Sequence, residues 1–131
     1  MSVQRPDTGE LVTAVREFIE GEVIAALTGS TAFHARVAVN VLKIVERELE
    51  TGAALDGADG ARLAALLGHE GDAPDADALS AELSERIRAG DLGLDTAGLA
   101  EHLRASVMGR LSIDNPRYVS YQRALVAAND D

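Results

Sequence analysis

Phe33-His34-Ala35-Arg36-Val37-Ala38-Val39-Asn40-Val41-Leu42-Lys43-Ile44-Val45-Glu46-Arg47-Glu48-Leu49 is the stretch whose reading decides the fold. Wound as a helix of about 3.6 residues per turn, its apolar residues at 33, 37, 41, 44, 45 and 49 form one wide stripe. Val39 and Leu42 carry apolar surface around a further side. Arg36, Asn40, Lys43 and Arg47 fall at i, i+4, i+7 and i+11 and leave one narrow polar seam. A helix apolar over most of its circumference is predicted to be covered on several sides. That makes it the central, second helix of an all-α bundle.

Working outward, Thr28-Gly29-Ser30 stops one helix and starts the next. Gly29 suits the left-handed C′ position, and Ser30 or Thr31 can cap the second helix. The helix before it is predicted from the capping-box pair Asp7 and Glu10 to about Leu27. Its face carries Leu11, Val15, Phe18, Ile19, Val23 and Leu27. Gly21 inside it costs about 1 kcal/mol against alanine, so either packing compensates or the helix bends. A connection this short makes the first two helices antiparallel neighbours.

On the other side, the second helix is predicted to end near Thr51-Gly52, with 52–60 an exposed loop rich in glycine and aspartate. A short helix at 61–67 comes next, stopped by Gly68. A fourth helix is capped by Asp75, has Leu79, Leu83 and Ile87 on one line, and ends at Gly90. Leu92 and Leu94 lie in a turn or an extended connection. A fifth helix over 96–113 carries Leu99, Leu103, Val107 and Leu111 at i+4 spacing and stops before Pro116. Asn115 as N-cap and Pro116 at the first position open a sixth, with Tyr118, Tyr121 and Leu125 as its apolar face. Residues 1–131 thus read as a single helical domain of five or six helices, with 1–6 and 127–131 frayed.

Composition fits this. The 131 residues are 47% hydrophobic but only 3% aromatic, so the core must be aliphatic. Without cysteine there are no disulfides and no thiolate metal sites. A net charge of −10 opposes binding to nucleic acid and to anionic membrane surfaces, because both need clustered positive charge. Lacking an apolar run long enough to span a bilayer and an apolar N-terminal core, the chain is expected to be cytoplasmic.

The seam is the leading candidate site. Arg36 and Asn40 offer fixed donors, His34 lies a short way round the same helix, and Arg117 could meet them; together they suit a carboxylate or phosphate group. The plainer reading is a solvated face whose cations pair with Glu46, Glu48 or the acids of the first helix, with Asn40 fixing register. His69-Glu70 begins like a zinc-protease motif, but the second histidine would fall at Ala73. Glu101-His102 lacks the i+3 spacing of di-metal bundles. Asp72, Asp75 and Asp77 lack the glycine and glutamate that a calcium loop requires. No nucleophile elbow or phosphate-binding glycine loop occurs, so no catalytic residue, metal ligand or cofactor is assigned.

Phe33 to Asn40, Glu46-Arg47-Glu48-Leu49 and Asp114-Asn115-Pro116-Arg117-Tyr118 together make the chain resemble a family of small, all-helical bacterial proteins of unknown function. Members are often encoded beside aminoglycoside-phosphotransferase-like kinases and acyl-CoA dehydrogenases, and the resemblance covers nearly the full length. It implies accessory work near such enzymes and brings no catalytic residues. The expected function is therefore a non-catalytic interaction protein that binds a phosphotransferase-like or acyl-CoA-dehydrogenase-like partner and self-associates. The alternative is a small-molecule binder or enzyme for an anionic phosphate or acyl-CoA-type ligand, with His34, Arg36, Asn40 and Arg117 converging on it.

Overall fold

A computed structural model describes residues 4–69, 71 and 74–131. Glu70, Asp72 and Ala73, on which the zinc- and calcium-motif readings draw, lie outside the described residues. The fold is all-α, as expected, with no strand among the described residues. The described residues form five α-helices, α1 (Thr8–Phe18), α2 (Gly29–Leu67), α3 (Ala76–Arg88), α4 (Leu99–Asp114) and α5 (Val119–Asn129). The chain packs as two compact units, 1–52 and 53–131, and α2 contributes to both.

The first unit is a helical hairpin. Asp7 Oδ1 accepts from the Glu10 N–H at 2.8 Å, and Glu10 Oε2 accepts from the Asp7 N–H at 2.8 Å, which completes the expected capping box. Helical winding continues past α1 through a π-helical turn at Ile19–Val23 and a 3-10 turn at Ile24–Ala26. The π turn spans Gly21, so the glycine is absorbed by a local change of winding. Gly29 turns the chain at φ +64°, the left-handed position expected of it.

The stripe that the sequence predicts to be buried is not. Phe33, Val37, Val41, Val45 and Leu49 are between 38% and 59% exposed, and Leu11, Val15 and Phe18 each exceed half. Among the described residues only Ala32 and Val39 form buried apolar core in this unit. The reason is geometric: each helix of a hairpin is covered along a single line. On α2 that line runs through Ala32, Ala35, Val39, Leu42 and Glu46, and an apolar arc wider than the line stays outside.

The second unit has a conventional core. Leu63 and Leu67 of α2, Leu79 and Leu83 of α3, and Leu99 of α4 form one buried cluster, with Ala64, Leu66 and Leu92 packed against it. Each fully buried leucine contributes about 1.5–3 kcal/mol. Here the predicted loop at 52–60 is instead helix, continuous with the predicted short helix at 61–67. Gly52, Gly57 and Gly60 each cost about 1 kcal/mol against alanine, but no proline breaks the ladder. Leu55 and Asp59 within the stretch are tied to α4, which outweighs weak propensity. Gly68 (φ +77°) stops the helix where expected.

Asp75 caps α3 by accepting from the Ala78 N–H at 2.8 Å. α4 starts at Leu99, after Gly98 at φ +88°, rather than at Thr96. Its predicted line also fails in part: Leu103 and Val107 are exposed, while Leu99, His102 and Ile113 are buried. Strict i+4 spacing turns about 40° per step, so the line rotates out of contact within two turns. Asn115 is the C-cap of α4, not an N-cap, and α5 begins three residues after Pro116.

Candidate functional site

Of the four residues singled out from sequence, three lie in the first unit and one in the second. His34, Arg36 and Asn40 are exposed on the first third of α2, and Arg117 is exposed between α4 and α5, in the second unit. Among the described residues neither Arg36 nor Asn40 has a hydrogen-bonding or ionic partner. Two residues along a helix turn the side chain by about 200°, so His34 faces away from Arg36. Its ring meets Phe33 edge-on instead, at 5.5 Å. The seam's lower half behaves as its plainer reading predicts, since Lys43 Nζ pairs with Glu20 of the π turn at 3.1 Å.

That pair belongs to a network that registers the hairpin. Arg16 Nε donates to both Glu46 oxygens at 2.9 and 2.8 Å, and Arg16 Nη1 reaches Glu20 at 2.9 Å. The Arg16 and Glu46 side chains are about one-fifth exposed. Burial works against the Glu46 carboxylate, yet hydrogen bonds from Thr13 and Arg16 outweigh it and hold its pKa below the usual range. Hydrogen bonds from Lys43 and then Arg16 lower that of Glu20.

With the inward line fixed by these contacts, each helix can be read round its circumference. Glu17, Glu20, Arg36, Asn40, Lys43 and Arg47 fall on one flank of the hairpin. Leu11, Val15 and Phe18 fall on the other, beside Val41, Val45 and Leu49. All six of these apolar residues are exposed. The hairpin therefore has one charged flank and one aliphatic flank.

The second unit holds a polar cluster that the sequence reading did not find. Asp59 and Arg62, three apart on α2, pair with each other. Ser106 Oγ on α4 donates to Asp59 Oδ2 at 2.9 Å, and Arg62 Nε approaches His102 Nδ1 at 3.4 Å. His102 is only 5% exposed. Burial, aided by the Arg62 charge and opposed by Asp59, lowers its pKa and keeps the imidazole neutral. No signal in the sequence marks this group, because a loop at 52–60 gives Asp59 no position opposite α4. The types suggest a Ser-His-Asp triad, but the connections do not: the Ser106 proton goes to the carboxylate, and His102 takes a donor from arginine. A nucleophile whose hydroxyl bypasses the base is not activated. The adjoining cavity, lined by Leu55, Asp59, Ser106 and Ile113 among others, is about 270 Å³, below the range of ordinary ligand pockets. The cluster is a polar lock between α2 and α4.

Among the described residues no group of three or more histidine or acidic side chains could hold a metal ion. Within the same residues no helix is long and apolar enough to cross a membrane. Residues 25–118 match a known family described as a domain of unknown function (DUF6285). No curated protein and no solved structure matches the chain.

Proposed function

The chain belongs to the DUF6285 family, and from that premise we propose that it is a non-catalytic helical interaction protein that works by burying the aliphatic flank of its N-terminal hairpin against protein. The observation that carries this reading is the exposure of Leu11, Val15, Phe18, Val41, Val45 and Leu49 on one flank. A contiguous apolar surface of several hundred Å² marks an interaction site. The opposite flank and the −10 net charge keep the unassembled chain dispersed. The resemblance of Phe33–Asn40 and Asp114–Tyr118 to a bacterial family encoded beside kinases and dehydrogenases supports a cytoplasmic accessory role. The enzyme it serves is then phosphotransferase-like or acyl-CoA-dehydrogenase-like.

The test is complex formation by the wild-type chain, alone and co-expressed with co-encoded enzymes of those two classes, against the same experiment with Val41→Asp. Val41 is 52% exposed in the single chain, so an aspartate there leaves the fold intact and spoils only a contact. The expected result is at least one complex at micromolar concentration that Val41→Asp abolishes. Complexes indifferent to the substitution, or none at all, refute the reading.

A further inference from the structure

We infer that the occupant of the aliphatic flank is a second copy of this chain, the two hairpins pairing face to face as an antiparallel four-helix bundle. This rests on the reading of that flank as an interface and goes further by naming what covers it.

Two observations point to a second copy. The first is the missing core. The hairpin unit spans 52 residues yet, among the described residues, buries only Ala32 and Val39 as apolar core, and no α1 residue is buried. Units of this size are marginal even with a complete core. Two helices with a wide apolar arc are half of a four-helix bundle, and the simplest source of the other half is the same hairpin, related by a two-fold axis. An isologous contact needs a self-complementary surface. A row of Leu, Val and Phe with Ala38 among them supplies the apolar part of such a surface, and His34 and Glu48, seven residues before and after Val41 on the same face, fall opposite each other in an antiparallel pairing.

The second observation is area. At ordinary side-chain sizes, the exposed parts of the six residues amount to roughly 500 Å² per copy, and so about 1,000 Å² for two. Interfaces are roughly 60% apolar, which implies about 1,700 Å² in total, inside the range of about 1,200–2,000 Å² typical of stable complexes. With the polar surface around it, the flank is thus large enough for a specific dimer.

Val41 lies midway along the α2 stripe, between Phe33 and Leu49, so in a two-fold pairing its side chain sits near the axis and meets its counterpart. The chain has no cysteine, which makes a single introduced thiol a clean reporter. The experiment combines sedimentation equilibrium of the wild type and Val41→Asp with oxidation of Val41→Cys. Leu94→Cys, at a position 99% exposed in the second unit, is the control. The expected results are a wild-type mass twice the 13.7 kDa of one chain, a monomeric Val41→Asp with unchanged helical circular dichroism, and a covalent dimer from Val41→Cys but not Leu94→Cys. A monomeric wild type that instead binds a co-encoded enzyme, with Val41→Asp preventing it, overturns the second-copy inference and leaves the interaction reading intact. A dimer insensitive to both Val41 substitutions also overturns the inference, because the contact then lies elsewhere. A monomer with no Val41-dependent complex of any kind removes both.

Discussion

The two units bury their apolar residues very differently. Around the second half of α2, three helices enclose five leucines, and exposed apolar residues such as Leu103 and Val107 lie outside that cluster. Around its first half, a more strongly aliphatic sequence encloses almost nothing, and the register of the hairpin is held by Arg16, Glu46, Glu20 and Lys43. One continuous helix serves both. What differs is the number of helices that pack on α2 within each unit: two partners supply a closed core, whereas one supplies a line of contact and leaves a face. An amphipathic stripe states that apolar surface will be covered and does not state which chain covers it.

Core truncation breaks the contrast most sharply. Leu79→Ala in the second unit is expected to cost about 3 kcal/mol, since the side chain is 2% exposed and its neighbours cannot collapse onto the gap. Val41→Ala in the first unit should cost less than about 0.5 kcal/mol in dilute solution, and more as concentration rises and dimers form. Urea denaturation of both variants at two protein concentrations reads the difference. A large loss at Val41 independent of concentration would mean that the hairpin face is internal after all.

The next effect tests what holds the hairpin in place of a core. A double-mutant cycle on Arg16→Gln and Glu46→Gln should give a coupling of about 0.5–1 kcal/mol, at the upper end for ion pairs because both groups are largely shielded and the Arg16 Nε–H is shared between both Glu46 oxygens. A zero coupling would show that the ion pairs follow the hairpin geometry and do not stabilise it.

These differences explain what could be read from the chain. Helix content, the Asp7 and Asp75 caps and the Gly29, Gly68 and Gly90 stops were legible because each is set by residues within one turn. The 52–60 segment was not, since its helicity comes from Leu55 against Gly109 and Asp59 against Ser106, contacts about fifty positions apart. The same distance hid the Asp59, Arg62, His102 and Ser106 cluster. Exposure of the Val41 stripe was illegible for another reason: periodicity records amphipathicity, while burial depends on how many neighbours the topology supplies.

His102 gives a third, pH-dependent way to separate the units. Its pKa in the fold lies below the ordinary 6.5, so the unfolded chain binds more protons as pH falls through that value. The second unit therefore loses stability from about pH 6.5 downward. Glu46 and Glu20 are lowered from 4.5, so their contribution to the first unit is retained until pH falls below that and is lost in strong acid. His102→Gln, which keeps an acceptor for Arg62, should flatten the melting-temperature profile between about pH 7 and pH 5 and leave the acid limb unchanged. An unaltered profile would assign that slope to other groups.

The smallest expected effect is at Arg36. Exposed, unpartnered among the described residues and on the charged flank, it takes part in neither the hairpin's ion pairs nor its apolar face. Arg36→Ala should therefore shift stability by less than about 0.5 kcal/mol and leave the dimer mass unchanged. Thermal-shift measurements with phosphate esters and acyl-CoA compounds should show no stabilisation that depends on this residue. Because helical winding turns His34 away from Arg36, an anion captured by Arg36 and Asn40 would lack the imidazole and lie on an exposed face. Ligand-dependent stabilisation lost in Arg36→Ala would mean that a second surface closes over the charged flank. The contrast between the flanks would then have to be redrawn, with both of them interfaces.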